Sequence, residues 1–220
     1  MSESNQRKSI EISTSRLEAF SDGVFAIAIT LLILEIKVPT KSTLEHESLA
    51  DYLIHQWPQF FAYIFSFVII GIYWANHHYL FKLFRRTDHV FNLLNVLFLL
   101  TIAFLPYPTG IFGEFIAERE HLRMAVIFYS IGITFPSLSW LLMWSYASRN
   151  RRLTDERLTD DFISSLSRKF LLSNVFYIIA IIISLFYPII SLVLNVTLTL
   201  IYLLPPPTPQ YKSSQSPREL

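Results

Sequence analysis

Residues 16–39 read RLEAFSDGVFAIAITLLILEIKVP. After Asp22 no charged residue appears until Glu35. A bilayer core about 30 Å thick asks for roughly 17–25 mostly apolar residues in a helix, since only helices and closed barrels satisfy their own backbone in lipid. The stretch 17–34 therefore reads as a first membrane-spanning helix. It lacks a small-residue cleavage site at its end and runs on into Glu35 and Lys37, so it reads as retained rather than as a cleaved signal.

Five further apolar runs follow in the chain. They cover 57–80, which opens on Pro58, a tolerated first-turn position; 89–111, where Pro106 and Pro108 predict a stop or kink; 123–147; 170–187; and 188–204, closed by Pro205, Pro206 and Pro207. The last two together are about 35 residues, too long for one crossing and right for a tight hairpin. Composition agrees: 52 % of the 220 residues are hydrophobic and 16 % charged, where a soluble domain carries about a quarter charged residues. The absence of cysteine excludes disulfides, thiolate zinc sites and thiol nucleophiles, and a net charge of +1 gives no reason to expect nucleic acid as a partner.

Lys and Arg in the connections set the direction. With the N-terminus inside, the inner segments hold Arg7, Lys8, Arg16; Lys82, Arg85, Arg86; Arg149, Arg151, Arg152, Arg157, Arg168, Lys169; Lys212 and Arg218. The outer segments hold only Lys37, Lys41, Arg119 and Arg123 of the 18 basic residues. The pattern predicts an all-α membrane protein of six transmembrane helices with both termini cytoplasmic. Its parts are a cytoplasmic N-terminus (1–15), a six-helix domain (16–204) and a Pro/Ser-rich, disordered tail (205–220).

Ionisable residues inside spans are costly and are functional candidates by default. Asp22 is the sharpest. It reads either as solvated at the inner interface or as buried and paired with His77, His78, Asn76 or Arg16. At 100° per residue, Ile27, Leu31 and Leu34 fall about 120–180° from Asp22, with Thr30 at about 80°. On periodicity alone that stripe reads as lipid contact. His77 and His78 point about 100° apart and lack a third ligand, which argues against a metal site. Asn92, Asn95, Asn174 and Asn195 read as helix-to-helix hydrogen bonds. Trp57, Tyr107, Trp144 and Tyr146 read as interfacial anchors. No Walker loop, dinucleotide fingerprint, Ser/His/Asp arrangement or carbonyl filter segment is found, so enzymatic chemistry and a conventional potassium filter are not expected.

Arg16-Leu-Glu-Ala-Phe20-Ser21-Asp22, followed by GVFAIAITLLILEIKVP, together with Tyr73-Trp74-Ala75-Asn76-His77-His78 and the six-span layout, resembles the transmembrane protein 175 family. These are endosomal and lysosomal potassium channels and their prokaryotic relatives; the single repeat resembles the prokaryotic branch. The resemblance implies a homotetramer in an inner (plasma) membrane, helix one lining the pore, and potassium as the permeating ion without a cofactor. Ile27, Thr30, Leu31 and Leu34 match the pore-lining layer, which reverses the lipid reading of the stripe. Arg16, Phe20, Ser21, Asp22, Trp74, Asn76 and His77 match a structural network that holds helix one. The implied mechanism is a hydrophobic constriction at Ile27, with Leu31 and Leu34 as further rings and Thr30 hydroxyls supplying oxygens. The alternative is a proton-coupled secondary transporter using Asp22 and His77 as a relay. A membrane enzyme using His77 and His78 ranks behind it.

Overall fold

The computed structural model describes residues 14–212, and the expected cytoplasmic N-terminus therefore lies almost wholly outside the described residues. Eight α-helices run in order: α1 (Thr14–Leu31), α2 (Leu49–His55), α3 (Trp57–Phe81), α4 (His89–Phe104), α5 (Pro106–Phe115), α6 (Arg119–Ser148), α7 (Asp160–Ser184) and α8 (Pro188–Ile201). No strand occurs among the described residues, only two isolated bridges.

Among the described residues, five helical rods are long and apolar enough to cross a membrane: 14–34, 57–81, 89–115, 119–151 and 160–184. The sixth expected span is helical only over Pro188–Ile201, 14 residues. At 1.5 Å per residue that is about 21 Å, short of the bilayer core. The helix ends at Ile201 ahead of three prolines from 205: Pro205 has no amide to bond the Ile201 carbonyl, and Leu204 before it is disfavoured in the α region. The fifth span begins earlier than its apolar run suggests: Thr159 Oγ1 accepts from the Phe162 amide, and Asp160 and Asp161 occupy the first turn. That cap and those acids favour the helix N-terminus, so ten more residues join the helix ahead of 170.

The kink anticipated at the two prolines divides the third run into α4 and α5, which continues to Phe115. Pro106 supplies no amide to continue the ladder. The bend brings Pro108 against α6 at Gly132, where a Cβ would lie 2.5 Å from the Pro108 ring. Gly113 similarly meets α3, where a Cβ would lie 2.6 Å from Ala62 Cβ and 2.9 Å from the Pro58 carbonyl. The α6 helix is the hub: it packs on α4, α5, α7 and α8, while α1 lies outside it against α3 and α4. Trp144, expected at an interface, is instead fully buried on α6 and donates to Ser167 Oγ at 2.8 Å. Asn174 donates to Ser137 O on α6, and Asn195 to Ser130 Oγ, so both asparagines join helices as expected.

The chain reverses after α6 through Asn150 and Arg151, both with positive φ. The tail is not structureless from its first residue. Residues 205–212 run extended beside the 157–159 segment, with Thr159 N–H donating to Gln210 O, Lys212 N–H to Arg157 O and the Tyr79 hydroxyl to Pro207 O. Polyproline φ restriction lowers the entropy lost in such an extended strap. The rest of the tail lies outside the described residues.

Candidate functional site

α1 is fastened through one face. Ser21 and Phe25 are buried on it, with Leu32 just beyond its end. Phe25 meets the His77 ring edge-on at 5.5 Å, and His77 stacks on Phe81 at 4.2 Å and lies parallel to Phe98 at 5.7 Å. A directional chain of hydrogen bonds runs through this packing. His77 Nε2–H donates to Asn95 Oδ1, the Asn95 amide donates to Ser21 Oγ, and the Ser21 hydroxyl donates to Leu17 O, at 2.9, 2.9 and 2.8 Å. Because Asn95 Oδ1 only accepts, it fixes the proton on His77 Nε2. Three helices, α1, α3 and α4, are thereby joined in an apolar interior where polar groups need such partners.

Asp22 has a different partner. Its Oδ1 accepts from Trp74 Nε1 at 2.9 Å, and both residues are exposed within the single chain. None of His77, His78, Asn76 or Arg16 pairs with it. Arg16 and Phe20 are exposed and take no part in the polar chain to α3 and α4. Asn76 faces the other way: its amide donates to Ile72 O at 2.9 Å and to Tyr202 O at 3.0 Å, tying α3 to the end of α8. The expected network thus resolves into two links to α1, Trp74 to Asp22 and His77 through Asn95 to Ser21. Asn95, read from sequence only as a generic interhelical hydrogen bond, is their missing member; a lone asparagine in an apolar run carries no indication of which helix it meets. Among the described residues no group of three or more His, Asp or Glu is placed to hold a metal.

Opposite these anchors lies the apolar stripe. Ile27, Leu31 and Leu34 are 60 %, 53 % and 72 % exposed within the chain. Thr30 is also exposed, and its hydroxyl donates back to Ala26 O at 2.8 Å, with Ile27 O at 3.2 Å. At Leu32–Glu35 the helix tightens to 3-10 geometry, in which residues three apart eclipse, so Leu34 is brought above Leu31 rather than drifting off the stripe. Ile27 and Leu31 also form one wall of a lateral groove of about 300 Å³ whose other wall is Ala103 and Pro106 at the α4–α5 bend. The C-terminal end of this segment is held by Gln56 Nε2, which donates to Lys37 O at 2.7 Å.

Comparison with known proteins accords with this layout. The family described as endosomal/lysosomal potassium channel TMEM175 matches residues 16–106. The chain is 38 % identical to the potassium channel Cha6605_3372 of Chamaesiphon minutus, over 76 % of this chain and 82 % of that protein. It is 39 % identical over 150 residues to the endosomal/lysosomal proton channel TMEM175 of Gallus gallus, covering 65 % of this chain and 30 % of that longer protein. The crystal structure of a homolog of the lysosomal potassium-selective channel TMEM175 from Chamaesiphon minutus superimposes with a TM-score of 0.75 at 33 % identity, over 87 % of this chain and 96 % of that one. An α1 anchored on one side to α3 and α4, within a multi-pass helical membrane protein of this fold and sequence, makes the chain a member of the TMEM175 family of ion channels.

Proposed function

We propose that the chain is a potassium-permeable, leak-type channel of the plasma membrane that assembles as a homotetramer around four copies of α1. In this reading the membrane is crossed six times, both termini are cytoplasmic, and α8 with residues 202–204 makes the short final crossing, accommodated by local thinning of the bilayer. The observation that carries it is the division of α1: Asp22, Ser21 and Phe25 hold the helix to its own chain, while Ile27, Thr30, Leu31 and Leu34 lie uncovered. In a family of channels, such a face is suited to line a shared pore. Ile27 forms the narrowest ring, Leu31 and Leu34 further rings, and Thr30 the polar step between them. No carbonyl filter is used; a narrow apolar ring controls flow by dewetting, whose cost falls steeply when the ring becomes wider or more polar.

Reconstitution into potassium-loaded liposomes under a set membrane potential tests this. Ile27→Asn is expected to raise flux severalfold and lower the potassium-to-sodium ratio, and native mass in mild detergent is expected at four copies. Unchanged flux and selectivity in Ile27→Asn displace Ile27 from the constriction; a monomer without flux overturns the channel reading. Proton permeation is the second reading, favoured by the likeness to the endosomal/lysosomal proton channel TMEM175 of Gallus gallus. A direct Asp22–His77 relay finds little support, because the two groups bond to different partners. Proton flux abolished by Asp22→Asn, with potassium flux absent, selects it.

A further inference from the structure

The basic end of α6 carries a cavity of about 460 Å³ lined by Ser145, Tyr146, Arg149, Asn150 and Arg152. Arg149 forms no ion pair among the described residues. Arg152 lies with its guanidinium carbon 4.6 Å from the Tyr146 ring and donates to the Tyr146 hydroxyl at 2.8 Å. Arg86 adds a third guanidinium beside them, donating to Arg152 O from Nε and Nη2. Asp88 meets this group through Tyr146: its Oδ2 accepts from the Tyr146 hydroxyl and its Oδ1 from the Phe91 amide. Neither Arg86 nor Arg152 forms an ion pair among the described residues either, and arginine forks match phosphate oxygens.

The helix below this cavity continues the site. Phe135, Leu138 and Leu142 are exposed on α6, and at 100° per residue they share an arc of about 100° with Ser145, Tyr146 and Arg149. Phe104 of α4 approaches Phe135 with ring centroids 6.4 Å apart, so the two helices border one apolar track leading to the basic cavity. Charge at one end and an uncovered apolar track below it are the two halves of an amphiphile's complement.

We infer that the α4–α6 face binds an anionic phospholipid, its phosphate at Arg149 and Arg152 and an acyl chain along Phe135, Leu138 and Leu142. Arginines clustered at the end of a membrane-spanning helix attract acidic headgroups in this way. The inference requires only that the chain spans a membrane, and stands whether or not α1 conducts potassium.

Native mass spectrometry of the detergent-purified assembly, supplied with equal phosphatidylglycerol and phosphatidylcholine, is the test. The unmodified protein should retain phosphatidylglycerol preferentially. Arg149→Gln with Arg152→Gln should reduce that preference about 25-fold, while Arg119→Gln with Arg123→Gln at the opposite end should not. Leu142→Trp, which fills the track without touching charge, should lower retention of both lipids. Should the double variant fail to fold, the exposed Arg149→Gln alone decides, with an expected reduction of about fivefold. Equal retention across all variants overturns the site. So does displacement of the lipid by inorganic phosphate alone, which would make it a free-anion site. A change in oligomeric mass without a change in lipid retention makes the face an interface between copies and likewise overturns the inference.

Discussion

α6 and α1 are both long apolar helices, yet they are held in opposite ways. In the most apolar stretch of α6, 56 % of residues are buried within the chain, against 17 % in α1. α6 is fixed first by shape, with Gly132 seating Pro108 and Trp144 enclosed, and its bonds with Ser167, Asn174 and Asn195 add to that packing. α1 is fixed by one packed face and two polar links. In lipid the hydrophobic effect no longer drives helices together, so close packing and hydrogen bonds decide. A helix that lacks the first must depend on the second, and it keeps the remainder of its surface for other neighbours.

The comparison is open to attack first at its rigid side. Gly132→Ala places a methyl 2.5 Å from the Pro108 ring, an overpacking expected to cost about 2–3 kcal/mol. Thermal or denaturant unfolding in detergent measures this, and a neutral result would show that α6 is not fixed by shape. On α1, Asn95→Ala leaves His77 Nε2–H and Ser21 Oγ short of a buried partner. A loss of about 1–2 kcal/mol is expected, with faster amide exchange in α1 than in α6; equal exchange in both would erase the contrast. Trp74→Phe removes the indole donor to exposed Asp22, a loss of about 0.6 kcal/mol. Trp74→Phe combined with Asp22→Asn should cost little more than either alone if the pair acts as one link.

The smallest effect concerns the loop beyond α6. The Arg157 guanidinium beside Asp155 holds that carboxyl below its ordinary value, so the contact stabilises the loop at neutral pH and is lost as pH falls through the depressed value. The protection factor of the Arg157 amide, whose N–H donates to Asp155 Oδ1, should fall under acid once the intrinsic pH dependence of exchange is divided out, with α6 protection unchanged. Acid sensitivity that spreads into α6 would contradict a hub fixed by shape.

Much of this contrast could be read from the chain itself. Long uncharged runs between basic connections mark membrane helices because charge in lipid is so costly, and Pro106 with Pro108 signalled a stop or kink where α4 gives way to α5. The boundaries at Asp160 and Ile201 were hidden for a related reason: α7 begins on polar residues that hydropathy counts as loop, and α8 unwinds before the apolar residues end. α2 stayed invisible because its 7 residues depend on a single Ser48 cap rather than on a long period. At the site, the exposed stripe followed from periodicity, whereas its meaning did not, since an apolar face looks the same whether lipid or a second chain covers it. The partners of Asp22 and His77 depended on the rotations of α3 and α4, which no single-helix pattern contains.

The Thr30 hydroxyl has a consequence set by where its proton goes. By giving that proton to the carbonyls of Ala26 and Ile27, the oxygen spends its one donor on its own backbone and turns only lone pairs outward. Any solute reaching that point meets a group able to lend electrons and unable to offer hydrogen. In the proposed pore, Thr30 would then replace part of a cation's hydration while offering an anion no donor.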